Sequence, residues 1–252
     1  EFHDKWYKIL PDDPLLYSRM AIMTFRMEGK TDNARKIIDK ASKWLPDHDY
    51  YAGPLMFFDE FDQKYDQVVQ YLKTSNFFFP SSEDSIFYEQ SIITTRAGFI
   101  SIGYWIMNEK DKSQEMAQKA LKQLMNLPNL KGDPRYHAEI SKMHVILDDT
   151  EKAIQEAKKA MSLFPRTKDA FLSDLYDLNL ARVYAIIGEH TKALDIIEKL
   201  MTEPSSINWY DLKYSSIFKK VFNENPRLKR IIKEDEDRFR KEIIINLDAY
   251  LN

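Results

Sequence analysis

LARVYAIIGEHTKALDIIEKL, residues 180–200, carries two short helical patterns separated by one glycine, Gly188. Apolar residues recur at i, i+3 and i+4 on both sides of the break, the spacing of helices with one buried face. Alanines stand at Ala181 and Ala193, where two helices folded back on each other would come closest. The same arrangement recurs upstream. With Ala193 as reference, the equivalent positions are Ala34, Val68, Ser113 and Ala153, at intervals of 34, 45, 40 and 40 residues. Five residues before these positions stand Gly29, Gln63, Asn108, Asp148 and Gly188. Glycine, asparagine and aspartate tolerate the left-handed backbone that ends a helix, and Gln63 is the least suited of the five.

Further rows follow in the same register. Seven residues after the references come Ala41, Ser75, Ala120, Ala160 and Leu200. Twelve before come Ile22, Met56, Ser101, Ser141 and Ala181, and nine before come Phe25, Asp59, Tyr104, His144 and Tyr184. Small residues let two helix backbones approach, and the aromatic row fills the remaining space. Asp59 stands out as a carboxylate in an aromatic row. Pro46, Pro80 and Pro165 close three of the units, and Pro128 and Pro204 lie near the ends of the others, where proline stops a helix. The 45-residue interval needs an insertion, for which SSEDS, residues 81–85, reads as a loop. Each unit is then an antiparallel helix pair that cannot cover its own apolar face, so the pairs must stack. The expectation is an all-α solenoid without a sheet, a single array over 1–252. Its units are 15–48, 49–81, 86–129, 132–166 and 168–204, with capping helices over 208–252. WYKILPDDP, residues 6–14, reads as the end of a preceding second helix.

Composition agrees with this and excludes much else. The chain has 252 residues, 44% hydrophobic and 31% charged, which supports a packed core. Six glycines are few for an all-β chain full of tight turns. A formal charge of −3 gives no general pull toward nucleic acid or anionic membrane. Without cysteine, disulfides, thiol catalysis and cysteine-ligated metals are excluded. The most apolar run, AGFISIGYWIM (97–107), is too short to span a bilayer and is flanked by Arg96 and Glu109, so no membrane insertion is expected. Cytoplasm and periplasm both remain open, and the start at Glu1-Phe2 reads as a piece taken from a longer protein.

The unit GDPRYHAEISKMHVILDDTEKAIQEAKKAMSLFP (132–165), the stretch from Asp174 to Pro204 and the unit from Leu15 to Pro46 resemble tetratricopeptide repeats. That resemblance implies a right-handed superhelix of stacked helix pairs whose first helices line a concave groove. The order FPRTKDAF, LARVYAIIGEHTKALDIIEKLMTEPSSI, KYSSIFKKVFNENPRLKRII is similar to the C-terminal repeat region of bacterial multidomain proteins. There such a region follows a cyclase, protein kinase, winged-helix or TolB-like domain. Within NENPRLKRII, Pro226 and Arg227 keep the family pattern, and Leu228 replaces its aromatic.

Candidate chemistry is sparse. His137 and His144 lie seven residues apart, about 10 Å along a helix, too far for one metal ion, and His144 falls in the aromatic row. The other histidines are His3, His48 and His190, of which His190 falls in a helix turn and reads as solvated. GFISIG (98–103) has glycines spaced like a phosphate loop but lacks the lysine and hydroxyl that follow, so close helix contact is the better reading. SIFK, Ser216 to Lys219, has serine–lysine nucleophile spacing without its supporting motifs. The carboxylates of FFDEFDQKYD (57–66) read as solvated. PRLKRIIK (226–233) is followed at once by EDED, which favours a salt-bridged helix over a phosphate contact. Phe77-Phe78-Phe79 reads as a linker tucked on the core.

The expected function is therefore a non-catalytic protein- or peptide-binding scaffold, with no cofactor, no metal and no nucleic acid. The candidate groove residues are Arg19, Met23 and Arg26 of the first unit, then Phe57 and Glu60, Ile102 and Trp105, Lys142 and Val145, and Leu178 and Arg182. Separated cations over an apolar floor suit an extended peptide with carboxylates, which arginine pairs bidentately. The alternatives are a sensory arm of a larger signalling protein and, third, an enzyme using a pocket in the groove.

Overall fold

The computed structural model describes residues 2–46, 48–74, 86–88, 92–127 and 129–251. Ser75, Phe77-Phe78-Phe79, Pro80, the SSEDS loop and Pro128 lie outside the described residues, as do the side chains of His3 and His48. Among the described residues the chain is all-helical apart from one short hairpin, and it gathers into two compact units, 1–85 and 86–252.

The first unit holds α1 (Phe2–Ile9), α2 (Pro14–Glu28), α3 (Asp32–Ser42), α4 (His48–Phe61) and α5 (Tyr65–Thr74). Asp13 starts α2: its carboxylate accepts the Leu15 N–H at 2.9 Å, and Pro14 follows at the first helical position, where no N–H is needed. Helix α2 packs on α3 and α4, and α4 on α5. Leu16, Ala21 and Phe25 of α2, Ala34, Ile38 and Ala41 of α3, and Tyr51, Ala52 and Phe58 of α4 are all buried. The reading of the 57–66 carboxylates as solvated needs a correction here. Asp59 occupies the row position but is not solvated: it is half-buried and pairs with Arg35 at 2.7 Å, while the neighbouring Phe58 is buried against Phe25. Arg35 also holds Asp62 at 2.8 Å, so the two carboxylates are paired where burial would otherwise penalise them.

The second unit opens with β1 (Ile86–Tyr88) and β2 (Ile93–Thr95), antiparallel, with Ile86 opposite Thr95. This hairpin corrects the expectation of no sheet. Its residues are β-branched or aromatic, suited to a half-buried strand, and β2 is covered by α7 and α8. The helices are α6 (Arg96–Ile106), α7 (Lys110–Met125), α8 (Pro134–Ile146), α9 (Thr150–Leu163), α10 (Ala170–Ile186) and α11 (His190–Thr202), then α12 (Trp209–Lys213), α13 (Ser216–Phe222) and α14 (Pro226–Leu251). Helices α6 and α7, α8 and α9, and α10 and α11 pair in sequence; α7 also packs on α8, and α9 on α10.

The breaks between paired helices share one geometry. Gly29, Gln63, Asn108, Asp148 and Gly188 all have positive φ, between 61° and 87°. After Gln63, Asn108, Asp148 and Gly188 the next N–H reaches back five residues, as from Glu109 to the Tyr104 carbonyl and from Glu189 to the Tyr184 carbonyl, both 2.9 Å. These are Schellman turns; Gly29 instead donates to Phe25 at 2.7 Å in the simpler left-handed cap. The references Ala34, Val68, Ser113, Ala153 and Ala193 are all buried. Ser101 and Ser113 show how close the backbones come: each hydroxyl donates to the other residue's carbonyl, at 2.8 and 2.9 Å. In the next pairs Ser141 and Ala153, then Ala181 and Ala193, take these places.

Gln63 is exposed and left-handed at φ 61°, a conformation that glycine adopts without a Cβ penalty. Gln63→Gly is therefore expected to raise the stability of the first unit by about 0.5–1 kcal/mol, net of the extra freedom glycine gains when unfolded. A lower denaturant midpoint for the variant would contradict that backbone assignment.

Candidate binding face and buried polar cluster

On α2 the outward face carries Arg19, Met23 and Arg26, all exposed, and the adjoining Met27 is 82% exposed. Phe57 and Glu60 on α4 are half-buried, and the Phe57 ring meets Phe25 edge-on at 5.3 Å.

In the second unit the predicted positions fare differently. Ile102 and Trp105 are half-buried against a core of Ala97, Ala117, Met143 and Ile146. Val145 and Leu178 lie inside the core and do not line an open surface, a correction to their placement on an exposed face. Helix α10 is enclosed by α8, α9, α11 and α13, which is why it is apolar almost all round. The Arg182 guanidinium lies 6.0 Å from the Phe218 ring of α13, and the Lys220 ammonium lies 4.9 Å above the Trp105 ring. Phe218 and Lys220 belong to α13, a helix that the periodicity of the earlier units did not bring to this face.

Lys142 is committed to Glu139, three residues before it on the same helix. Glu139 is only 1% exposed, and its Oε1 accepts the Thr94 hydroxyl from β2. Thr95 caps α6, its Oγ1 accepting the Gly98 N–H at 2.9 Å. Nearby, the Asn179 amide of α10 donates to Ser141 Oγ of α8 at 2.9 Å, and Ser141 donates to the Ala138 carbonyl at 2.7 Å. Sequence reasoning missed this buried cluster. Its one signal was Gly98, read as allowing close contact: a Cβ there would lie 2.6 Å from Glu139 Oε1.

The remaining candidates have structural partners. His137 donates from Nε2 to the Lys131 carbonyl at 2.8 Å, and its Nδ1 lies 2.5 Å from Glu156. Burial holds the His144 imidazole below the usual histidine range, against the pull of Asp149. Ser216 is buried at the start of α13, and Lys219 lies over the Tyr214 ring at 5.7 Å. Of the basic run, Arg227 bridges Asp195 at 2.7 Å and Glu198 at 2.5 Å, and Arg230 takes Glu198 at 2.9 Å, so α14 is riveted to α11. Among the described residues no three His, Asp or Glu side chains gather as a metal ion requires, and no helix is long and apolar enough to cross a membrane. No family model and no curated protein matches the chain.

Proposed function

We propose that the chain is a non-catalytic binding scaffold of tetratricopeptide-repeat type, its helix pairs stacked as a right-handed superhelix. The repeated left-handed break between paired helices supports the repeat reading. The observation that carries the functional reading is the outward strip of α2, Arg19, Met23 and Arg26, exposed on a helix whose opposite face holds Leu16, Ala21 and Phe25 in the core. A strip that alternates arginine with methionine matches an extended peptide bearing carboxylates. Guanidinium groups hold carboxylates through paired hydrogen bonds, and methionine adapts to irregular apolar side chains.

The test begins with a protein retained by the immobilised chain, identified and produced separately. Its affinity should fall about a hundredfold for Arg19→Glu combined with Arg26→Glu, since each lost charge-assisted hydrogen bond is worth about a factor of ten or more. Both changes are on exposed positions, so the variant should keep its helicity. Undiminished binding by the folded double variant would remove α2 as the contact surface.

A further inference from the structure

Helix α13 lies on α6 and α10 in the second unit, and it touches two of the residues whose spacing marks them as groove contacts. Phe218 is fully buried beside Arg182, and Lys220 sits above Trp105. The Lys220 ammonium donates to the Ile106 carbonyl at 2.9 Å and to Asn108 Oδ1 at 2.5 Å, where it caps the carbonyl end of α6. We propose that α13 is an intrinsic, displaceable occupant of the α6–α10 inner face, so that a partner reaches Trp105 and Arg182 only when the segment 214–223 moves away. This concerns the regulation of the binding scaffold and rests on the reading of first-helix faces as binding surfaces.

Three features distinguish this segment from an ordinary core element. First, Lys220 donates to two neutral acceptors over the Trp105 ring, where partial burial holds it below the usual lysine range. Second, an open cleft of about 250 Å³ adjoins Lys220, lined also by Trp105, Asn108, Lys110, Ser113, Ile146 and Asp148, so solvent reaches the contact at this end of α13. Third, the helix ends at Asn223 with φ 35° and ψ −106°, a conformation that a residue with a Cβ adopts only under strain. Helices of five and seven residues, α12 and α13, hold no stable helical state by themselves, so once detached the segment would lose its helix.

Lys220→Glu sets a carboxylate against the Ile106 carbonyl and Asn108 Oδ1. Amide hydrogen exchange in 214–223 should then accelerate about tenfold or more, with α6, α8 and α10 still protected. A labelled synthetic peptide of residues 214–225 should bind this variant, fail to bind the unaltered chain, and lose binding when Trp105→Ala is added. Asn223→Gly should act in the opposite direction, relieving strain and slowing exchange in the segment. Exchange that rises together in α6, α10 and α13 would make α13 a fixed part of the core and overturn the proposal. So would a folded Lys220→Glu variant that ignores the peptide. The probe is the chain's own segment, so this result and the α2 partner test can fail independently.

Discussion

Gly98→Ala should lower the stability of the second unit by about 2 kcal/mol, although alanine is ordinarily the better helix residue by about 0.5–1 kcal/mol. The added Cβ would lie 2.6 Å from Glu139 Oε1, 3.1 Å from Thr94 Oγ1 and 3.3 Å from Thr95 Oγ1. None of these atoms can simply withdraw. Glu139 accepts from Thr94 on one oxygen and pairs with Lys142 on the other, and Thr95 Oγ1 holds the first turn of α6. Overpacking a site pinned on all sides lies at the upper end of the usual range of about 1–3 kcal/mol, and the helix propensity of alanine offsets part of it. Urea titration of the far-ultraviolet signal measures the net loss. A second variant isolates the cause: with Glu139→Ala already in place the carboxylate is gone, so adding Gly98→Ala should cost little or stabilise. A Gly98→Ala protein as stable as the parent would show that the carboxylate does not sit where the clash requires.

The helix breaks were legible because two independent signals coincide at them. Gly29, Asn108, Asp148 and Gly188 have residue types that accept positive φ, and Gln63, which does not, is found by spacing alone. The close approach of helices was legible from small residues, whereas the reciprocal bonds of Ser101 and Ser113 were not. What escaped depends on partners distant in sequence. Glu139 reads as an ordinary surface charge in HAEISK, since Thr94 lies 45 residues away. Asp59 does hold the position of the aromatic row, as the Lys64 N–H to Asp59 carbonyl bond shows, but its partner Arg35 lies 24 residues away, so the pairing that makes a carboxylate acceptable there was not legible locally. Among the described residues the candidate face was legible only where its side chains stay exposed. Arg19, Met23 and Arg26 are exposed, whereas Val145 and Leu178 are enclosed and Trp105 and Arg182 lie against α13. Local periodicity reports which face of a helix is apolar; it does not report which later segment comes back to it.

Phe25→Ala is expected to cost about 3–5 kcal/mol, the range for deleting a fully buried aromatic ring. Phe25 has no exposed surface, and its ring sits at the centre of an aromatic group from the facing helix. Phe57 and Phe61 meet it edge-on at 5.3 and 4.8 Å, and Phe58 lies tilted at 5.6 Å. Truncation leaves a cavity ringed by three phenyl groups whose backbones are fixed within α4, so collapse can fill little of it. Phe25→Leu separates the two contributions. Leucine fills most of the volume but forfeits the edge-to-face geometry, so its cost should be nearer 1–1.5 kcal/mol. Small domains are stable by only about 5–15 kcal/mol, so the alanine variant should lose much of the protection of its own unit. Amide exchange should therefore accelerate in α2, α3 and α4. A loss below about 1 kcal/mol would mean that α2 and α4 are not held together through this ring, and the outward placement of Arg19, Met23 and Arg26 on the same helix would fall with it.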